Sequence, residues 1–202
     1  MVPVSKGVQT RQAILQVGYD QACLLGLEGL TIGKLAEQMG MSKSGVFAHF
    51  RSREDLQLAV LDYAGQCFVA EVLQPALAQP RGLSRLRAIV ENWLNWQQGS
   101  SRACLFISAA IEYDDRPGPL RDAVAEGQLR WRQEIARCVQ HALEKGQLRA
   151  EVEPEQLAFE IFCLVLGVHH DVRLFGQEAR VRARAWRALD KILEPELALK
   201  GM

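Results

Sequence analysis

The sequence predicts an all-α protein in which three short helices and a connecting helix precede a bundle of about five longer helices. Nearly every apolar pattern along the 202 residues has helical period. No strand-length alternation bounded by turn residues stands out. Glycine and proline fall at the ends of the periodic stretches, where helices stop. These three observations argue against an all-β or a mixed α/β fold.

The first helix is predicted from one apolar face. Residues at intervals of four, four and three share that face: Ile14, Gly18, Ala22 and Leu25. Gly26 follows directly and is expected to end the helix, because glycine adopts the left-handed conformation that follows many helices.

Hydroxyl side chains mark the starts of the next three helices. Thr31 is the predicted N-cap of a helix that ends before Gly40, and Ser42 is the predicted N-cap of a helix over residues 43–50. Ser52 and Asp55 have the spacing of a capping box, with aspartate where glutamate is commoner. They open a longer helix that is expected to run to about residue 73.

The rest of the chain is predicted to form long helices separated by proline and glycine. A linker is indicated by Pro75, Pro80 and Gly82. Further loops are indicated by the stretch DDRPGP at 114–119, by Gly146 with Pro154, and by Gly176. The approximate helical spans are 83–98, 103–113, 118–146, 154–175 and 177–193.

Composition indicates an ordinary globular protein, with 49% hydrophobic and 24% charged residues. The sequence has no uncharged apolar run of 18 residues and no secretory signal at its start, so we expect a cytoplasmic protein. The closest two of its five cysteines are 25 residues apart, a spacing of neither zinc sites nor disulfide frameworks. The cysteines therefore give no sign of a zinc site, and no metal or cofactor is predicted. The cysteines are Cys23, Cys67, Cys104, Cys138 and Cys163.

Charge is distributed unevenly although the net charge is zero. Residues 1–53 contain six Lys or Arg and three Asp or Glu, a net charge of +3, which leaves −3 for the remainder. A basic end on a neutral chain hints at a polyanionic partner.

The stretch MSKSGVFAHF at 41–50 and the residues before it have the spacing of a helix-turn-helix. Ala36 provides the small residue where two helices cross, Gly40 tolerates positive φ in the turn, and Val46 provides an apolar plug. The other members of the predicted buried face are Ile32, Leu35, Met39 and Phe50. A different face is left to meet the floor of a DNA major groove, with Lys43, Ser44, Phe47 and Ala48.

This order of residues resembles the TetR (tetracycline-repressor-like) family of bacterial transcriptional regulators. The matching stretches are TRQAIL at 10–15, Gly26, Thr31, LAEQMGMSKSGVFAHF at 35–50 and SREDL at 52–56. The resemblance covers roughly the first 60 residues. It implies a helix-turn-helix DNA-binding domain over 1–51. It also implies a domain over 52–202 with a connecting helix and a helical bundle for ligand binding and dimerisation.

The resemblance also implies which residues contact DNA. Lys43 and Ser44 would touch base edges, where lysine suits guanine. The other implied positions are Thr31, Ser42, Phe47, Ala48, His49 and Arg53. Among these, Thr31 and Ser42 lie at helix N-termini that receive phosphate, and His49 and Arg53 match phosphate-contacting positions.

Two positions depart from the family pattern. Phe47 stands where tyrosine is commoner, so its ring can press a thymine methyl but has no hydroxyl for a phosphate. The alternative reading of Phe47 is a core residue. Gly33 stands where a polar contact residue is commoner. With a thinner phosphate clamp, contacts through Lys6 and Arg11 matter more.

Two polar clusters raise the question of catalysis or metal binding: Glu112, Asp114 and Asp115, and His169, His170 and Asp171. Aspartates beside prolines commonly form caps or turns. Adjacent histidines on a helix point about 100° apart and do not easily share a metal. We therefore predict no enzyme and no metal site, and leave open a pocket role for one of the histidines.

Ligand and dimer contacts are predicted on the later helices, where sequence alone does not separate pocket from core. The candidate ligand-binding residues are Trp93, Trp96, Phe106, Trp131 and His169. The candidate dimer-interface residues are Phe162, Leu166, Trp186 and Leu189. An arginine series lies opposite the last two, at Arg180, Arg184 and Arg187.

The sequence thus predicts a homodimeric repressor that binds a palindromic operator through the helix at 42–50 and is released by an unknown small-molecule effector. Its partners would be double-stranded DNA, the effector and a second copy of the chain, with no membrane. One alternative is a helical small-molecule-binding protein or enzyme whose N-terminal helices are a structural cap. Another is an effector-independent architectural DNA binder, for which six cations in residues 1–53 are few.

Overall fold

The computed structural model describes residues 5–96, 104–194 and 197. Apart from one isolated β-bridge, the regular secondary structure in these ranges consists of helices. The predicted all-α class is confirmed. In chain order the helices are α1 (Lys6–Leu25), α2 (Ile32–Gln38), α3 (Lys43–Phe47), α4 (Arg53–Phe68), α5 (Gln74–Ala76), α6 (Leu83–Trp96), α7 (Leu105–Tyr113), α8 (Pro119–Glu144), α9 (Pro154–Phe175) and α10 (Glu178–Leu193).

The chain forms two compact units, each assembled from two stretches of sequence. The first unit consists of Met1–Phe68 and Ser100–Gly127, and the second consists of Val69–Gly99 and Gln128–Met202. In the first unit α4 packs against α1. These units are defined by packing. The predicted functional domains, 1–51 for DNA binding and 52–202 for ligand binding and dimerisation, stay a prediction.

The predicted helix starts are confirmed by their hydrogen bonds. The Thr31 hydroxyl accepts from the Lys34 N–H at 3.3 Å, and the Ser42 hydroxyl accepts from the Gly45 N–H at 3.1 Å. The Asp55 N–H donates to the Ser52 hydroxyl at 3.0 Å. Each side chain satisfies a donor of a first helical turn that has no partner within the helix.

Two helix ends differ from the prediction. α3 ends at Phe47, with Ala48 as its C-cap, rather than near residue 50. The helix after Arg53 continues past residue 73 through a π-helical segment, Val69–Leu73, and then α5. Pro75 therefore lies at the start of α5, directly after the π-helical segment, and not in the linker where we expected it.

The helical segment Arg53–Ala76 is long and apolar enough to cross a membrane by length and composition, with a mean hydropathy of 1.3 over 18 residues. A third of that window, 33%, is buried inside the protein. Core helices of soluble proteins pass the same test, so this single helix is weak evidence for a membrane span.

A close approach of α1 and α4 positions the first unit's short helices. A Cβ at Gly18 would lie 3.0 Å from Val60 Cγ2, so a larger residue would push the two helices apart. The buried side chains of α1 to α4 and of the loops between them include Ile14, Leu27, Leu30, Leu35, Val46, Phe50 and Leu56.

In the second unit, α9 packs against α10, and polar side chains join α10 to α6. Arg87 on α6 forms an ion pair with Asp190 on α10 at 2.8 Å. Arg182 on α10 donates to the Asn95 side chain and lies 3.7 Å from Glu91. Arg182 therefore links α10 to α6.

Candidate nucleic-acid interface

The structure contains the predicted helix-turn-helix, formed by α2, the turn at Gly40 and α3. Ala36 and Val46 are buried where α2 and α3 pack together. Gly40 has φ +62°, and the following Met41 N–H donates to the Ala36 carbonyl at 2.9 Å. A residue with a Cβ would be strained at that φ, which explains the glycine in the turn.

The exposed face of α3 carries the predicted base-reading residues. Lys43, Ser44, Phe47 and Ala48 are exposed, whereas Val46 is fully buried. Phe47 is 50% exposed, which excludes the alternative that it is a core residue. The physical reason is helical geometry, because Phe47 points about 100° away from its buried neighbour Val46.

The Lys43 side chain runs across Gly33 of α2. A Cβ at residue 33 would lie 3.4 Å from Lys43 Cε and 3.8 Å from its Nζ. A Cβ at residue 33 would thus be in ordinary van der Waals contact with the lysine chain, and this neighbour of Lys43 is one that the sequence reasoning missed. A packing contact between two short helices gives no local sequence signal that would have revealed it.

The two N-cap hydroxyls are occupied within the protein. Ser42 Oγ accepts from the backbone of Gly45 and lies 3.0 Å from the Ser44 hydroxyl. Thr31 is half-buried and caps α2. Both lie at helix N-termini, as predicted, and their contacts with phosphate stay predictions.

Arg53 braces the loop between α1 and α2. Its Nε donates to the Leu30 carbonyl at 3.1 Å, and its Nη2 donates to the Glu28 carbonyl and forms an ion pair with the Glu28 carboxylate at 2.9 Å. The side chain is still 44% exposed. The predicted phosphate contact is thus accompanied by a structural role that the sequence did not indicate.

The end of α3 lies beside α1. The Arg11 guanidinium is stacked over the Phe50 ring, 5.0 Å from its centre. His49 is half-buried, and its N–H donates to the Val46 carbonyl at 2.9 Å. Arg11 and Lys6 are both exposed on α1, which keeps them available for the contacts that we predicted.

The acidic residues near 112–115 have structural partners. Glu112 on α7 accepts from the N–H groups of Leu27 and Glu28, at 3.1 and 2.8 Å. The Asp115 N–H donates to the Asp114 carboxylate at 2.9 Å, as expected for a turn. The Asp114 contact agrees with the turn interpretation, and Glu112 accepts from two backbone N–H groups of the loop after α1.

Glu28 is the centre of a charged cluster. The Tyr113 hydroxyl donates to its carboxylate at 2.7 Å, and Arg116 lies 3.4 Å from it. The Tyr113 hydrogen bond, together with Arg53 and Arg116, lowers the pKa of Glu28. Burial and the contact with Glu28 raise the pKa of Tyr113. The cluster therefore keeps Glu28 ionised and Tyr113 protonated.

The two adjacent histidines have different environments. His169 is buried, and burial lowers its pKa to about 4, with Arg173 and His170 acting in the same direction. His170 is exposed, with its Nδ1 3.4 Å from the Asp171 carboxylate. Within the described ranges, no group of three or more His, Cys, Asp or Glu residues could hold a metal ion.

The candidate ligand-binding residues do not all lie in one unit. Trp93, Trp96 and His169 are buried and Trp131 is half-buried in the second unit. Phe106 belongs to the first unit, where its ring packs against Gly127 so closely that no side chain would fit at that position. The role of each of these residues in ligand binding stays a prediction.

The four candidate dimer residues differ in how deeply they are buried. Phe162 and Leu189 are buried within the chain, whereas Leu166 and Trp186 are half-buried. The exposed stripe of α9 consists of other residues, namely Phe159, Cys163, Gly167, His170 and Leu174. Their helical spacing is visible in the sequence, but the sequence does not show which apolar stripe of α9 faces inward.

Two family models match the sequence. Residues 10–60 match the model described as bacterial regulatory proteins, tetR family. Residues 82–189, more than half of the chain, match the model described as tetracyclin repressor-like, C-terminal domain. Together they cover the helix-turn-helix and most of the later helices.

Individual relatives agree with these matches. The chain is 27% identical to tetracycline repressor protein class A from transposon 1721 of Escherichia coli over an alignment of 126 residues, and the match covers 58% of this chain and 51% of the relative. The alignment thus spans about half the length of that curated relative.

Solved structures show the same fold. A TetR transcriptional regulator from Chloroflexus aurantiacus J-10-FL has a TM-score of 0.86 and 26% identity, covering 96% of this chain and 98% of that one. AibR, in a crystal structure with isovaleryl coenzyme A and operator DNA, has a TM-score of 0.70 and 22% identity, covering 90% of this chain and 96% of AibR.

Proposed function

The chain belongs to the tetR family of bacterial regulatory proteins, and on that premise we propose that it is a homodimeric repressor that binds a palindromic operator and is released by a small molecule. The observation that carries the proposal is the exposed face of α3. A half-exposed phenylalanine lies beside an exposed lysine and serine on a five-residue helix whose opposite side is buried. This arrangement suits entry of the helix into a major groove.

DNA contacts are proposed in two groups. Lys43, Ser44, Phe47 and Ala48 contact base edges, with the Phe47 ring against a thymine methyl. The phosphate contacts come from Thr31, Ser42, His49 and Arg53. Phosphate contacts hold the protein in register without reading sequence. The brace that Arg53 makes to Glu28 supports this function, because it fixes the guanidinium at the start of α4.

Dimerisation is proposed through α9 and α10, as a two-fold interface in which the same surface of each chain takes part. Leu166 and Trp186 contact the partner together with the exposed Phe159 and Leu174. Phe162 and Leu189 support this surface from beneath, since both are buried within one chain.

We propose Trp93, Trp96, Phe106, Trp131 and His169 as effector-binding residues, four of them buried or half-buried in the second unit. The fold relative AibR has been crystallised with both an acyl coenzyme A and operator DNA, which supports a regulator that receives both kinds of partner. The ligand acts only through its different affinities for the DNA-bound and the released states. We also propose a cytoplasmic location and no enzymatic activity.

Selection of bound fragments from random DNA tests the proposal. We expect a recovered palindrome whose half-sites are about one helical turn, or a multiple of it, apart. A ligand that weakens operator binding should bind less tightly when operator is present, by the same factor. Failure to enrich any sequence would contradict the proposal. It would favour either the helical carrier with an N-terminal cap or an architectural binder, which salt-dependent binding to random DNA would distinguish.

A further inference from the structure

Arg132 on α8 lies against two aromatic rings of α9. Its guanidinium carbon is 4.3 Å from the centre of the Phe162 ring and 5.8 Å from that of Phe159. Arginine stacks on aromatic faces in this way through cation–π attraction. The stacking fixes the guanidinium in one place before any ligand arrives.

This guanidinium has no acceptor within the part of the chain that the structure describes. Its Nε is buried and makes no hydrogen bond. Other arginines of the second unit are paired: Arg87 with Asp190, Arg182 with Glu91, and Arg137 with Glu134. A buried donor on a cation is costly when it is left without an acceptor. The position therefore suits an acceptor that comes from outside the chain.

We propose that Arg132 binds the anionic group of the effector, a carboxylate or a phosphate, while the apolar part of that molecule lies along neighbouring aromatic side chains. This inference rests on the proposed function, since it names the chemical class of the ligand. A guanidinium offers a planar fork of donors that matches both anions. A cationic ligand would be repelled, and the faces of Phe159 and Phe162 are already covered by the guanidinium.

An acidic residue of a second copy is the competing occupant, because Phe159 is 48% exposed on α9. The geometry favours the small molecule. The Nε of Arg132 is itself buried beside the Phe162 ring, so this side of the guanidinium faces the interior rather than the outer face of α9.

Four matched probes test the inference on the full-length protein: octanoate, octyl phosphate, octanamide and octylammonium. Affinities are measured by calorimetry and by tryptophan fluorescence. We expect at least one of the two anions to bind better than the amide, and the ammonium to bind worst. The preference between carboxylate and phosphate identifies the anion.

Variants of Arg132 then locate the anion. Arg132→Gln should weaken the preferred anion by about tenfold to hundredfold, the value of a charge-assisted hydrogen bond, and should change amide binding by less than about twofold. Arg132→Lys keeps the charge without the fork and should retain part of the preference, which also guards against misfolding of the first variant. Arg137→Gln removes an exposed charge from the same helix and should change neither affinity.

Three results would overturn the inference: no anion preference in the wild-type protein, an unchanged preference in Arg132→Gln, or a weakened dimer with unchanged anion binding. The last would assign Arg132 to the partner chain. Operator selection by unliganded wild-type protein is independent of these readouts. Its failure would contradict the proposed function, whereas a lost anion preference with intact operator binding would contradict only the assignment of Arg132.

Discussion

The carboxylate of Glu112 accepts a hydrogen bond from the backbone N–H of Glu28 at 2.8 Å, although 84 residues separate the two in sequence. The neighbouring N–H of Leu27 donates to the same carboxylate at 3.1 Å. One side chain of α7 therefore holds the loop that leads from α1 into the helix-turn-helix. A Cβ at Gly26, whose φ is +77°, would clash with Glu112 Oε1, so a larger residue would displace the carboxylate from the loop.

Removing this contact should destabilise the first unit. Glu112→Ala leaves two backbone donors without their acceptor, and we expect a loss of about 1–3 kcal/mol in the free energy of unfolding. Glu112→Gln keeps one acceptor oxygen and should lose less. Denaturant unfolding measures both variants, with the exposed Asp122→Asn as a control of equal charge change. Equal stability of Glu112→Ala and the control would show that the loop is held by other contacts.

The two roles of Arg53 can be separated by comparing Arg53→Ala with Glu28→Gln. If Arg53 contacts a phosphate, Arg53→Ala should weaken operator and random DNA alike. It should also lower the slope of log affinity against log salt by about one per contact, hence about two in the dimer. Glu28→Gln removes the ion pair but leaves the arginine charge. Glu28→Gln should lower the free energy of unfolding and leave the salt slope of DNA binding close to that of the wild type. The same slope in wild type and Arg53→Ala would leave only the structural role.

Local features of the fold could be predicted because they depend on residues close in sequence. Thr31, Ser42 and Gly40 each act within three or four residues, so the caps and the turn of the helix-turn-helix were visible in the sequence. Pro75 misled the prediction, since proline is tolerated in a first helical turn as well as in a linker.

Contacts between distant residues could not be predicted. Glu28 receives the Tyr113 hydroxyl across 85 residues, and nothing near either residue signals the pair. The sequence also could not show which way the side chain of Phe162 on α9 faces. Its apolar side chain fits either an interface or the interior, and packing places it in the interior.

The dimer proposal predicts that exposed positions on α9 and the half-buried Trp186 on α10 control assembly. Trp186→Glu and Leu174→Glu should each yield monomers and abolish operator binding, since the interface would then contain an uncompensated charge. Sedimentation at micromolar concentration measures the change, with circular dichroism to verify folding. Leu77→Glu, at another exposed apolar position of the second unit, should remain dimeric. A monomeric wild-type protein would rule out the interface. Phe162→Asp is a poorer test, because a buried charge would also unfold the chain.

Burial of His169 predicts a specific dependence of stability on pH. Its pKa is about 4 in the folded protein, against about 6.5 when unfolded. The unfolded state therefore takes up the proton first. The stabilisation is fully present above pH 6.5 and is lost as pH falls towards 4. Between pH 7 and pH 5 this loss should amount to about 2 kcal/mol. His169→Gln should remove that part of the pH dependence, while His170→Gln, at the exposed neighbour, should retain it. Parallel pH profiles for wild type and His169→Gln would contradict the assignment.

The central claim is that the exposed face of α3 reads DNA sequence, and one comparison tests it most directly: the affinity of Lys43→Ala for operator and for scrambled DNA, across a salt series. We predict a loss of about 1–3 kcal/mol on the operator for each contacted base, a smaller loss on scrambled DNA, and relaxed preference at one symmetric operator position. Arg53→Ala, measured alongside, should lose affinity for both DNAs. Equal losses of Lys43→Ala on operator and scrambled DNA would contradict the account, because they would show that Lys43 contacts only the phosphate backbone.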